Sequence, residues 1–256
     1  MEIHLIPALR DNYIHLMRDP ATGATGVVDP AEAGPVVEAL AARGWRLTHI
    51  FNTHHHGDHI GGNTTLKARF SAPIIAARAD LARIPDVDIA VAEGESVAFG
   101  ALTAMVMEIP GHTVGHIAFW FRDAAVVFCG DTLFALGCGR LFEGTAGQMW
   151  SSLDRLRALP DHTVVCCGHE YTLANAHFAV TLEPGNAELV ARAAAVADLR
   201  ARGLPTLPTT IGLERRANPC LRVDVPEVQR AVNLTGADPA VVFAEIRHRK
   251  DIFPSH

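Results

Sequence analysis

The stretch NTHHHGDHIGG, residues 52–62, sets His54, His55, His56, Asp58 and His59 within six positions. Imidazoles and a carboxylate at that density are costly to bury without partners, so the segment points to metal ligation. In extended backbone, residues i and i+2 share a face. His54 and His56 then grip one ion while His55 points away. Asp58 and His59, beyond a turn at Gly57, reach a second ion. A helix through the segment is not expected, because Gly57, Gly61 and Gly62 interrupt it, so this is not a pair of ligands on a helix face. Taken alone, the six residues also fit a solvated polar loop.

Three further runs end in glycine followed by a ligand-type side chain: Gly111-His112, Gly130-Asp131 and Gly168-His169. Glycine lets the backbone leave a sheet at a sharp angle, so each side chain projects from a strand end. His112 completes a three-histidine set with His54 and His56. His169 joins Asp58 and His59, and Asp131 places its carboxylate between the two ions. Singly, His112 reads as a turn residue, His169 as a satisfied buried histidine and Asp131 as a helix cap. Together on four strand ends, they read as one shared site.

The elements that must position these residues are short apolar strands. HLIPAL and NYIHLM are strand-like, and ATGATGVVDP is a turn followed by a buried strand. PAEAGPVVEALAARGW predicts a helix with Val36, Val37, Leu40 and Ala41 on one face and Gly44 as its stop. RLTHIFNTH returns as a strand, giving a β-α-β unit. ESVAFGALTAMVMEIPGH, HIAFWFRDAAVVFCGDTLF and HTVVCCGHE add strands, with Arg122-Asp123 at a hairpin turn. NAELVARAAAVADLRARG is a helix stopped by Gly203, and PEVQRAVNL and DPAVVFAEIRHRKDIF are helices opened by proline. Strands first and helices last predict an α+β chain: a sheet domain over 1–170 and a helical domain over 171–256.

At 256 residues, 49% hydrophobic and 20% charged, the chain has the composition of an ordinary globular protein. The five cysteines lack CxxC or disulfide-framework spacing, which suits a reducing compartment. A net charge of −6 argues against a nucleic-acid partner. No apolar run reaches the ~18 residues of a membrane span, and MEIHLIPALRDNY lacks the plan of a signal peptide. The expectation is a cytoplasmic monomer with neither a nucleic-acid nor a membrane partner.

H-x-H-x-D-H, PGHT, GDTLF and GHEYT together resemble the metallo-β-lactamase superfamily. DNYIH, PGHTVGHIAF, GDTLFALGCGRLFEG, GHEYTLANAHFA, LPTTIGLERRANPCLR and the closing RHRKD extend the likeness to its hydroxyacylglutathione hydrolase (glyoxalase II) family over nearly the whole chain. The resemblance implies an αββα sandwich with a dinuclear metal site and a C-terminal helical domain. It implies hydrolysis of S-D-lactoylglutathione and similar thioesters. The donors without thiolate suit two zinc ions, although such N/O sites also accept iron or manganese. Two ions ~3.5–4 Å apart can share a hydroxide available near neutral pH and polarise the thioester carbonyl. Asp58 and Asp131 would orient that hydroxide rather than attack, and no GxSxG elbow suggests an acyl-enzyme.

Glutathione carries two carboxylates, so its pocket needs cations. Arg247 and Lys250, at i and i+3 on the last helix, share a face and read either as a basic helix end or, with the resemblance, as carboxylate ligands. Tyr171 is placed to reach the glutathione backbone. Arg140 and Phe142 stand where many family members have Lys and Tyr, which keeps a charge and loses a hydroxyl. Competing activities are a glutathione-persulfide dioxygenase with one iron and another metal-dependent hydrolase on the same fold. A non-catalytic zinc module is disfavoured because structural zinc sites are usually closed and Cys-rich.

Overall fold

The first apolar runs form strands β1 (Glu2–Ala8), β2 (Asn12–Arg18) and β3 (Thr25–Val28), which pair antiparallel in that order. The chain then crosses through helix α1 (Ala33–Arg43) to β4 (His49–Phe51), which runs parallel to β3. This is the expected β-α-β unit. Val36 and Leu40 are buried on the inner face of α1, and Gly44 ends the helix in the left-handed region at φ 63°. Helices α2 (Gly57–Ile60) and α3 (Asn63–Phe70) precede β5 (Ile74–Ala77) and β6 (Ile89–Val91), both added in parallel. Strands β7 (Ser96–Phe99), β8 (Leu102–Glu108), β9 (Ile117–Phe121) and β10 (Val126–Gly130) form an antiparallel meander. The turn between β9 and β10 is the short 3-10 helix Arg122–Ala124, at the predicted hairpin.

This computed structural model describes residues 1–254, and the chain divides into two compact units. The first comprises Met1–Glu108 with Gly115–Gly130; the second comprises Ile109–Val114 and the chain from Asp131 onward. In the first unit, edge-to-face rings join its two groups of strands: Phe51 of β4 meets Phe99 of β7 and Phe119 of β9. Ile14, Val27, Ile50 and Ile74 form a second apolar layer beneath α1 and α3, with Val36, Leu40 and Leu66.

The second unit opens with the two-residue hairpin β11 (Leu133–Phe134) and β12 (Gly137–Cys138). Helix α4 (Ala146–Arg157) follows, started by a Thr145–Gln148 capping box. Strand β13 (Val164–Cys167) pairs antiparallel with β14 (Thr209–Thr210). Between them lie α5 (Thr172–Leu182) and α6 (Ala187–Ala201). Helices α7 (Ile211–Ala217), α8 (Pro226–Ala231) and α9 (Pro239–Asp251) complete the unit. Leu136, Ala176, Ala179, Leu189 and Ala217 make a small core that joins α5, α6 and α7 to the hairpin. Buried Glu214 ties the same region together, accepting from the Leu136 N–H, the Thr209 hydroxyl, Asn218 and Arg192. Among the described residues, no helix is long and apolar enough to cross a membrane.

Candidate metal centre

The chain leaves β4 extended through His56, whose φ and ψ are −60° and 142°. That brings His54 Nε2 to 3.1 Å from His56 Nδ1, so two ring nitrogens converge on one point. His54 Nδ1 lies 3.0 Å from Thr53 Oγ1. His55 turns the other way, its Nδ1 3.4 Å from Asp80 Oδ2 and its Nε2 3.4 Å from Arg83. Asp80 is wholly buried and also pairs with Arg83.

The expectation of no helix in this segment is corrected. Gly57–Ile60 is one helical turn, closed by the His59 N–H donating to the His56 carbonyl. The turn sets Asp58 Oδ2 3.6 Å from His59 Nε2. Gly61 and Gly62 do not serve as breakers. A Cβ on Gly61 would run into the Ala31 carbonyl oxygen, and one on Gly62 would crowd Pro30 and Glu32. These glycines let the segment lie directly on the chain that joins β3 to α1.

Two residues absent from the sequence-derived ligand set orient it. Asn12, at the start of β2, donates from Nδ2 to the Asp58 carboxylate (3.0 Å) and carbonyl (3.1 Å). Asp29, buried at the end of β3, accepts from the Thr53 N–H (2.8 Å) and hydroxyl (2.6 Å), and its Oδ2 lies 3.1 Å from His59 Nδ1. With Nδ1–H directed at Asp29, His59 carries its lone pair on Nε2, toward Asp58. Donor atoms of Asp29, His54 and His59 lie within 4.8 Å of one another. The strand-end pattern in GVVDP was the available signal for Asp29. His116 stacks on His54 at 4.6 Å and 16°. Gly130, at φ 47°, passes so close to Thr53 Oγ1 and the His116 ring that a side chain there would collide with both.

The second unit brings together the other three predicted ligands. His112 Nδ1 lies 2.9 Å from the Arg140 carbonyl, which fixes the proton there and leaves Nε2 as the acceptor nitrogen. That Nε2 is 3.5 Å from Asp131 Oδ2, and His169 Nε2 is 3.2 Å from the same oxygen. A buried carboxylate oxygen thus sits between two imidazole nitrogens. In both units the donors are largely buried nitrogen and carboxylate oxygen, a set that holds divalent ions.

The predicted substrate residues also fall in the second unit. Tyr171 stacks on His169 at 4.7 Å and 2°. Phe142 is 63% exposed and meets the His112 ring edge-on at 5.2 Å. Arg140 is exposed, its Nε 3.7 Å from Asp251. Lys250 donates to the Ala174 carbonyl (2.7 Å), and burial followed by the neighbouring Arg247 charge brings its ammonium down to about 8. Arg247 departs from the expectation of a cation presented to an anion. It is buried, and its guanidinium donates to the Cys138 carbonyl (2.9 Å) and to Asp251 (2.8 Å).

The model of the hydroxyacylglutathione hydrolase C-terminus matches residues 170–253, and that of the metallo-β-lactamase superfamily matches residues 13–169. A protein of Methylococcus capsulatus named hydroxyacylglutathione hydrolase is 56% identical over 99% of both chains. Among solved structures, ETHE1 from Myxococcus xanthus aligns with a TM-score of 0.69 at 26% identity, over 99% of this chain and 92% of its own. TTHA1623 in a di-iron-bound form aligns with a TM-score of 0.60 at 26% identity, over 84% of this chain and 97% of its own. On these matches over nearly its whole length, the chain belongs to the hydroxyacylglutathione hydrolase family of the metallo-β-lactamase superfamily.

Proposed function

We propose that the protein is a hydroxyacylglutathione hydrolase that cleaves S-D-lactoylglutathione to glutathione and D-lactate. The observation that carries this reading is the 56% identity over essentially the full length to a protein of that name. The match of residues 170–253 to the family's own C-terminal model adds to it. Residues 1–170 form the catalytic domain and residues 171–256 the helical substrate-binding domain.

His54, His56 and His112 would hold one ion and Asp58, His59 and His169 the other, with the Asp131 carboxylate available to either. When bound, two divalent ions supply Lewis acidity that polarises a thioester carbonyl and makes water deprotonate near neutral pH. Zinc suits the donors and a thiolate leaving group, while the di-iron form of TTHA1623 keeps iron in view. Asp58, steadied by Asn12, would accept a hydrogen bond from the attacking water, and Asp131 would help to orient it. Arg140 and Lys250 attract the glutathione carboxylates, Phe142 and Tyr171 flank the acyl and peptide parts, and Arg247 keeps α9 in place beneath them. The protein works as a cytoplasmic monomer on this small molecule, without nucleic acid or membrane.

Purified protein cleaves lactoylglutathione, loses activity to a chelator and regains it with zinc. Asp131→Asn loses both metal and turnover. Stoichiometrically metallated protein that leaves the thioester intact, with the Asp131→Asn variant behaving identically, sinks the reading. Oxygen uptake with glutathione persulfide would move it to a dioxygenase.

A further inference from the structure

The β11–β12 hairpin lies between two parts of the candidate metal centre, and its tight turn is held by side chains from other segments. The turn is Phe134-Ala135-Leu136-Gly137, with Leu136 in the left-handed region at φ 59°, where residues other than glycine are uncommon. All four residues are buried, so their main-chain polar groups need partners within the protein. Asn175 of α5 donates to the Ala135 carbonyl (3.0 Å). Asn218, at the end of α7, donates to the Phe134 (3.1 Å) and Gly137 (2.9 Å) carbonyls. Glu214 of α7 accepts from the Leu136 N–H (2.8 Å) and from Asn218 itself (3.0 Å), and its other oxygen pairs with Arg192 of α6. Asn175, Glu214 and Asn218 are themselves buried. A Cβ on Gly137 would run into the Asn175 amide, so the turn sits tightly on its supports.

The two ends of the hairpin meet at the ligands. Asp131 and Thr132 lead into it, and Gly139 follows it, donating to the Thr132 carbonyl (3.1 Å). Gly139 lies so close to the Asp131 carbonyl that a Cβ there would overlap it, and that Cβ would also come within 3.2 Å of His112 Nδ1. The next residue, Arg140, offers its carbonyl to the same nitrogen at 2.9 Å. The position of the turn therefore sets where the Asp131 carboxylate stands between His112 and His169, and where the carbonyl that orients His112 stands. We propose that Asn175, Asn218 and Glu214 are positioning residues: acting through the β11–β12 turn, they hold Asp131 and the Arg140 carbonyl where Asp131, His112 and His169 can take metal. The proposal rests on the metal-binding role given above to those three ligands.

Asn175→Ala removes one donor while placing a strong helix former in α5. It leaves the Ala135 carbonyl buried without that partner, a costly state that the turn relieves by shifting. Loss of a partner directly behind a ligating side chain lowers metal affinity by about 10–100-fold. Asn175 acts one step further back, so the expected loss is about tenfold, the low end of that range. Asn218→Ser keeps an acceptor for the Cys220 N–H but has a single donor for two carbonyls, so it should lose more.

The test is zinc titration of the full-length variants against a chromophoric chelator, together with the visible spectrum of the cobalt-substituted protein, which reports coordination geometry. Asn175→Ala, folded by circular dichroism, should bind zinc about tenfold more weakly and show an altered cobalt spectrum. Val196→Ala trims a buried side chain of α6 outside this network. It should lower stability and leave both readouts at their wild-type values. A folded Asn175→Ala protein with wild-type affinity and spectrum overturns the proposal. Equal metal loss in Val196→Ala also overturns it, because the effect would then be general destabilisation. Failure of the metal centre itself reads differently: wild-type protein and Asp131→Asn would bind zinc alike, which overturns the proposal together with its premise.

Discussion

Asp29→Asn isolates the orienting role of one carboxylate. Asp29 sits at φ 49°, a left-handed position that asparagine tolerates as well as aspartate, so the backbone should keep its path. The side chain changes more. As an anion, Asp29 accepts from the Thr53 N–H and hydroxyl and faces His59 Nδ1 at 3.1 Å. The amide retains one acceptor oxygen and turns an NH2 toward groups that are themselves donors. The contact most exposed to this change is the one that holds the proton of His59 on Nδ1. A hydrogen bond to a charged group contributes roughly 1.5–3 kcal/mol. Losing a partner of this kind behind a ligating histidine lowers metal affinity by about 10–100-fold. At 1.4 kcal/mol per tenfold, that range corresponds to about 1.4–2.8 kcal/mol, so the two estimates agree. Titration against a chromophoric chelator resolves the two ions. The ion served by His59 should weaken by one to two orders of magnitude, and the ion served by His54 and His56 should change little. A folded Asp29→Asn protein that binds both ions with wild-type affinity would refute the argument. So would equal loss of both ions, which would place the effect in the Thr53 segment as a whole.

His54→Ala should lose metal on dialysis, measured as stoichiometry by elemental analysis, whereas His55→Ala should keep it. The His55 change costs only about 1 kcal/mol of stability through its lost contact with Asp80. Lys250 carries charge below about 8 and sheds it above, so KM for lactoylglutathione should climb as pH rises through 8, and a Lys250→Met variant should be flat there. The sign for folding is opposite. Between about 8 and the ordinary 10.5 the unfolded chain binds the proton that the folded one has released, so this group's contribution to stability grows with pH over that interval. Glu214→Ala removes a buried carboxylate that pairs with half-buried Arg192 and accepts from three other donors, and should lower stability by roughly 3–5 kcal/mol in urea unfolding.

Local pattern carried much of this structure. Alternation and buried runs marked β1 to β4 and the meander, and Gly44 and Gly203 marked helix ends. The T-x-x-Q box before α4 is an equally plain start signal, whereas α5 opens at Tyr171 with no side-chain cap to mark it. The helical turn at Gly57–Ile60 is hidden for a different reason. Its glycines look like helix breakers, whereas Gly61 and Gly62 answer to the Ala31 and Pro30 carbonyls, and that demand comes from a segment thirty residues earlier. Arg247 shows the same limit. From the sequence it was a basic residue near a helix end, but its partners are Asp251 and a carbonyl 109 residues away.

The candidate ligands His54, His112, Asp131 and His169 stand out in the sequence because each follows closely on a strand, and strand ends leave a local signature. What decides which nitrogen of each histidine can bind is less visible. For His59 the deciding group is Asp29, thirty positions earlier, which at least carries a ligand-type side chain at a strand end. For His112 it is the Arg140 carbonyl, twenty-eight positions later, and a backbone carbonyl leaves no mark on residue type. The same loop carries the exposed Arg140 side chain outward while its main chain fixes the His112 tautomer. Arg140→Lys should therefore alter substrate affinity and leave metal affinity intact, because the carbonyl is retained. Metal titration beside a KM measurement tests that separation. Loss of metal on this change would mean that the guanidinium, rather than the backbone, holds the loop against His112.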